Sequence, residues 1–233
     1  MASDPAKAAA LIWQHWRAGT VLDSLPPDLK PATRAEGYAI QAHLEQYSSK
    51  PRAGWKIAAT SSAGQQHIGV DGPIAGRLQA EFLREDGATI AIATNRMRVA
   101  EPEFAFRFNH GLAPRAEPYT VDEVMAAVSD LHLAVELPDS RFAAFAKAGG
   151  PSLIAEAACA RDLVVGRAVH ADWRSIDLSQ HPVKGHVQGR YDREGSGGNV
   201  LGDPRIALTW LVNELSGLEL GVKAHELVTT GAA

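Results

Sequence analysis

The 233-residue chain holds one cysteine, Cys159. A single thiol excludes an internal disulfide framework and any zinc site built from several cysteines. Long apolar runs are missing too: none approaches the roughly 20 residues a membrane helix needs. The start, "MASDPAKAAALIWQHW", is not laid out as a secretory leader, because its short apolar run contains Gln14 and His15. A cytoplasmic protein is the expectation. Lys and Arg form no cluster and the net charge is −4, so nothing favours nucleic acid as a partner. Nine histidines are scattered without H-x-x-x-H or H-E-x-x-H spacing. The glycine-rich "GSGGNVLG" (195–202) has neither G-x-G-x-x-G nor a P-loop lysine and reads as a turn before a helix.

What is present is 45% hydrophobic residues, enough for one core, and a recurring pairing of carboxylates with apolar strands. In "VAEPEFAFRF" (99–108) a period of two puts Phe104, Phe106 and Phe108 on one face. Glu101, Glu103, Ala105 and Arg107 fall on the other. "SDLHLAVELPDSRF" (129–142) repeats the pattern, with Leu131, Leu133, Val135 and Leu137 opposite His132, Ala134 and Glu136. Two readings fit: a solvated strand face with a Glu103–Arg107 pair, or three carboxylates converging on a cation. Converging carboxylates repel and raise each other's pKa unless a cation compensates. An all-oxygen set suits Mg²⁺, Mn²⁺ or Ca²⁺ rather than zinc.

Capping signals place the helices. Asp4-Pro5 opens one that runs to about Arg17 and ends near Gly19; Thr33 with Glu36 opens a second, to about Tyr47. Thr120 with Glu123 opens a third, to about Ser129, and Asp203-Pro204 a last one ending at Gly217. Strands are expected at 54–60, 88–93, 97–108, 131–137 and 161–169, with a hairpin over 183–195 turning near Gly189. The segment 69–78 reads as a Gly/Pro-punctuated loop. Helices gathered at the N-terminus with strands following argue for an α+β fold rather than a doubly wound sheet. We expect one domain, 1–233, with a helical arm (1–50) and a mixed β core (51–233).

Four ordered stretches, "GWKIAATSSAGQQHIGVDGPIAGRL", "EPEFAFRF", "AVELPDSRF" and "GSGGNVLGDPRIALTWLVNEL", resemble the 2-keto-4-pentenoate hydratases and 4-oxalocrotonate decarboxylases of the fumarylacetoacetate hydrolase superfamily. The resemblance covers roughly residues 50–231. It implies a mixed β-roll or barrel with flanking helices, and Mg²⁺ or Mn²⁺ held by Glu101, Glu103 and Glu136. It matches Lys56 to a lysine that moves a proton, although such a lysine can also simply balance surplus carboxylate charge. Beside a cation, desolvation and positive charge would lower its pKa. It matches Asp71 to a residue orienting Lys56 or water; the plainer reading is a turn residue before Gly72-Pro73. His67 falls in a site-proximal stretch and reads more simply as a polar loop residue.

Two departures stand out. "EAACA" (156–160) replaces a serine-containing motif, so Cys159 stands where a hydroxyl would bind the substrate carboxylate; a thiol is a weaker donor. Arg141 or Arg161 could take over that contact, although a structural pair of Arg141 with Asp139 is the simpler reading. Similar chains also continue past "TTG" (229–231) into a last strand, so an open sheet edge is expected here. The implied function is a lyase that hydrates a 2-hydroxypenta-2,4-dienoate-type acid. The alternatives are decarboxylation of a 4-oxalocrotonate-type acid, C–C hydrolysis, or a non-catalytic relative. A homo-oligomer is expected, with the Trp13/Trp16 pair in helix core or subunit contact.

Overall fold

The computed structural model describes residues 4–233. Helix α1 (Pro5–Ala18) starts at Asp4, whose carboxylate accepts from the Lys7 amide, and stops at Gly19 in a left-handed conformation. Helix α2 (Arg34–His43) starts in the Thr33/Glu36 capping box and continues into the 3₁₀ turn Leu44–Tyr47. These helices pack onto the core. Gln41 is fully buried and donates to the carbonyls of Ala75 and Ile154. No helix of the described residues is long and apolar enough to cross a membrane.

The main sheet has seven strands: β1 (Arg52–Ala58), β2 (Ile74–Gln79), β3 (Leu83–Glu85), β4 (Glu101–Phe108), β5 (Val128–Leu137), β6 (Asp162–Ala168) and β9 (Leu227–Ala232). Their spatial order is β2-β1-β9-β4-β5-β6-β3. Pairing is antiparallel except for β1 with β9 and β3 with β6, which run parallel. The two edge strands are consecutive in the chain, separated only by the turn Ala80–Phe82. Four residues span at most about 14 Å, whereas opposite edges of a flat seven-stranded sheet lie roughly 29 Å apart. The sheet must therefore curl until its edges approach at that corner. Short helices α3 (Ser62–Ile68), α4 (Val121–Ala127) and α5 (Gly150–Ala155) and the longer α6 (Pro204–Gly217) flank it, and β7 (Pro182–Val187) and β8 (Tyr191–Ser196) form a separate hairpin. This is the mixed α+β roll that the sequence resemblance implies.

Several expectations change. Residues 74–79 form strand β2 rather than loop, because Gly72-Pro73 ends the preceding bend and Gly76 is a contact glycine, not a breaker. Residues 88–93 are not a strand; β3 lies earlier, at 83–85. Helices α3 and α5 were not expected. On β5 the carboxylate face is the buried one, while Leu133 on the aliphatic face is 56% exposed. Trp173 and His181 cover Phe106 and Phe104 of β4, but this cover does not extend to Leu133. The terminal segment leaves no open edge. β9 is the third strand, hydrogen-bonded to β1 on one side and β4 on the other, and the edges are β2 and β3.

Gly76 shows how tightly the site side is packed. A Cβ there would lie 2.0 Å from the Ala157 carbonyl oxygen and 3.1 Å from Cγ of Lys56. Gly76→Ala is expected to cost about 1–3 kcal/mol by overpacking. Gly72→Ala, where a Cβ meets nothing within 4 Å, should stay within about 0.5 kcal/mol. Urea midpoints of the two variants check the contrast; equal midpoints would refute it.

Candidate metal centre

Strand register brings the carboxylates together. Glu101 on β4 lies directly opposite Glu136 on β5, and Glu103 lies two residues along the same face. One oxygen from each falls within 4.8 Å of the others. Like charges placed directly opposite destabilise a sheet, so this register calls for compensation. Part of it comes from Lys56 on β1, whose Nζ is 2.9 Å from Oε2 of Glu136 and donates to the Ala158 carbonyl at 3.0 Å. β9 separates β1 from β4 and carries the other contact: the Gly231 amide donates to Oε2 of Glu103 at 2.9 Å. Gly231 has φ +97, and a Cβ there would meet Thr60 Oγ1 at 2.3 Å, so only glycine fits.

Lys56, Glu103 and Glu136 are buried, while Glu101 is half-buried and lines a cavity of about 320 Å³. The solvated-face reading of β4 is thereby overturned: Glu103 is 3% exposed, and Arg107 donates instead to the His225 carbonyl. Burial, then the charges of Glu136 and Glu101, push the Glu103 carboxyl well above the usual range. Burial and Glu101 likewise raise Glu136, with Lys56 opposing. Burial disfavours the charge on Lys56, but Glu136, Glu101 and Glu103 outweigh it and hold its pKa above normal.

The donor set suits a hard divalent ion. Oε1 of Glu103 and both oxygens of Glu136 are buried without a well-aligned hydrogen-bond donor, Oε2 of Glu136 having only its ionic contact with Lys56. Counted as ionised, three carboxylates and one ammonium sum to −2. This is the one such cluster among the described residues.

The other expected residues divide. Cys159 and His67 line the cavity. Asp71 does not; it is exposed in the bend before Pro73, on the Arg34 side. Arg141 is buried but pairs with Asp139, stacks on Trp16 and lies outside the cavity wall. Arg161 stacks on Trp16 and Phe82. The arginines are held by aromatic faces and acids and do not line the cavity.

Glu156 was not expected. It is fully buried and accepts from Ser140 Oγ at 2.5 Å, the Arg141 amide at 2.6 Å and Cys159 Sγ at 3.6 Å. It begins a turn in which Ala157, Ala158 and Cys159 all have positive φ, a conformation costing non-glycine residues roughly 1–2 kcal/mol each. That turn aims the Ala158 carbonyl at Lys56 and holds the Cys159 thiol against Glu156, with Cys159 in the cavity wall. The only sequence signal was a lone glutamate inside "LIAEAACA". Burial, then Glu156, pushes the Cys159 thiol well above its ordinary value, so it stays protonated.

Burial pushes Glu156 up to about 7. The unfolded chain therefore loses this proton first, and stability falls as pH rises from about 4.5 towards 7. Glu156→Gln keeps an acceptor and removes the ionisation. Relative to wild type, its stability should rise by roughly 3 kcal/mol across that window, read from urea midpoints at each pH. Parallel curves for the two proteins would refute the assignment.

No family model matches the chain. It is 27% identical over 226 residues to a 2-hydroxyhexa-2,4-dienoate hydratase of Comamonas testosteroni, covering 95% of this chain and 84% of that protein. It is 29% identical over 229 residues to a 2-keto-4-pentenoate hydratase of Paraburkholderia xenovorans, covering 97% and 84%. A 4-oxalocrotonate decarboxylase of a Pseudomonas species is 30% identical over 182 residues, covering 78% and 68%. In fold, the chain is similar to the 4-oxalocrotonate decarboxylase from Pseudomonas putida G7 complexed with magnesium and adipate. The TM-score is 0.83 at 23% identity, covering 98% of this chain and 86% of that one. A fumarylacetoacetate hydrolase family protein from Yersinia pestis matches with a TM-score of 0.51 at 11% identity, covering 77% and 80%. With this fold and these relatives, the chain belongs to the family of 2-keto-4-pentenoate hydratases and 4-oxalocrotonate decarboxylases, lyases of the fumarylacetoacetate hydrolase-like fold.

Proposed function

We propose that the protein is a divalent-cation-dependent hydro-lyase of aromatic catabolism. It adds water to a 2-hydroxypenta-2,4-dienoate-type acid and yields a 4-hydroxy-2-keto acid. The observation that carries this reading is the Glu101–Glu103–Glu136 cluster beside one cavity, which Glu101 and Lys56 line. Glu101, Glu103 and Glu136 would hold Mg²⁺ or Mn²⁺. When bound, such an ion supplies Lewis acidity toward the oxygens of a 2-keto or 2-hydroxy acid.

The protein side chains do the rest. Lys56 lines the cavity with an ammonium fixed between Glu136 and the Ala158 carbonyl, placed to give and retrieve a proton as the substrate passes between enol and keto forms. The Cys159 thiol is protonated and, on turning from Glu156, would offer the substrate carboxylate a weak donor where a hydroxyl would offer a stronger one. Ile74, Leu153 and Phe145 narrow the cavity and limit water around the reacting carbons. Asp71 and Arg141 take no part in this scheme: Asp71 is exposed in the bend before Pro73, and Arg141 is paired with Asp139.

Two substitutions separate the roles. Glu136→Ala should abolish the rise in thermal midpoint that Mg²⁺ or Mn²⁺ gives wild type, a stabilisation of about 2.7 kcal/mol at a hundredfold excess over Kd. Lys56→Ala should keep a cation response yet lose about 10²–10⁴-fold in turnover of 2-hydroxypenta-2,4-dienoate. Equal Mn²⁺ responses in wild type and Glu136→Ala would sink the metal assignment. A loss under about threefold in Lys56→Ala, with cation saturated, would reduce Lys56 to a charge balance.

We further propose that the chain assembles as a homo-oligomer. In support, Leu133 stands exposed on the outer sheet face beside half-buried Val135. Light scattering at micromolar concentration should give a mass above 24.8 kDa; a sharp monomer mass would count against assembly.

A further inference from the structure

We infer that the cavity selects an acid with a neutral, apolar tail and rejects one carrying a second carboxylate at its far end. The inference rests on the reading above, in which the carboxylate cluster, Lys56 and Cys159 take the substrate's head group. Much of the remaining wall is then apolar: Ile68 of α3, Ile74 of β2, Met97 and Val99 before β4, Phe145 of the 3₁₀ turn Phe145–Lys147, and Leu153 of α5. These side chains come from five separate segments, so the apolar wall is assembled by the fold. Val99, an apolar residue of the same wall, is 41% exposed.

Charge decides the selection. No arginine lines the cavity, and its one lysine, Lys56, is already held by Glu136 and the Ala158 carbonyl. A second carboxylate on the substrate would lose water against Ile68, Met97 and Leu153 without gaining a partner, and an unpaired buried charge is strongly disfavoured. A methyl or ethyl end gains burial instead. His67 is the one other wall residue able to carry positive charge; its ring lies edge-on to Phe145 at 5.6 Å.

The test compares two acids of equal length, 2-oxohexanoate and 2-oxoadipate, titrated calorimetrically into the Mg²⁺-saturated full chain. We expect 2-oxohexanoate to bind at least about tenfold more tightly. Phe145 lines the cavity and is half-buried, so Phe145→Arg should shrink or invert the gap. Equal binding in wild type, or a preference for 2-oxoadipate, would overturn the inference. If that preference vanished in His67→Gln, His67 would be the residue receiving the second carboxylate. Hydration of 2-hydroxyhexa-2,4-dienoate, assayed in parallel, reports on the reaction alone. Selective binding without hydration would leave the selectivity standing and remove the hydratase reading. Failure of both acids to bind would remove the head-group assignment and the inference with it.

Discussion

Three carboxylates share one face of two adjacent strands, and much of the site is arranged around that electrostatic cost. Direct opposition of Glu101 and Glu136 is unfavourable in any sheet, and burial of Glu103 and Glu136 makes it worse. The protein partly neutralises the cluster with Lys56 and with one backbone amide, from Gly231. It stops short of neutrality, and buried carboxylate oxygens are left without donors. A scaffold evolved only for stability would not keep such atoms, because unpaired buried polar groups each cost about 1–3 kcal/mol. A divalent cation, as proposed above, would complete that compensation.

The parts that position Lys56 are themselves costly. Three successive left-handed residues, Ala157, Ala158 and Cys159, bring a carbonyl to its ammonium. Glu156 anchors the start of that turn through Ser140 and the Arg141 amide. Asp139 and Trp16 hold the Arg141 side chain from behind. Gly76 leaves the space into which the Ala157 carbonyl projects. Strain of this kind persists where the surroundings over-determine it, and it gathers at functional sites. Here it fixes one wall of the cavity to the strand that supplies the lysine.

The curl of the sheet does the remaining work. β9 arrives from the far end of the chain to lie between β1 and β4, and so sets the distance from Lys56 to the carboxylates. The consecutive edge strands β2 and β3 oblige the sheet to bend around the cavity. The segments α3, Phe145–Lys147 and α5 then bring Ile68, Phe145 and Leu153 to the cavity wall.

Local chemistry was legible in the sequence. Capping residues located α1, α2, α4 and α6, because N-cap hydrogen bonds reach only two or three residues along the chain. Alternation put Glu101 with Glu103 and singled out Glu136, because strand side chains have a period of two. The ordered motifs carried the family. What spans long separations was not legible: the place of β9, the strand at 74–79, and the distance of Asp71 and Arg141 from the cavity. Nor was Glu156, whose partners Ser140 and Arg141 lie some fifteen residues away. Gly76 looks like loop punctuation until the Ala157 carbonyl is seen to occupy the space a Cβ would take. Periodicity states which face a side chain takes; only the folded sheet determines whether that face meets water, a core or a cavity, because burial is decided by what packs against it.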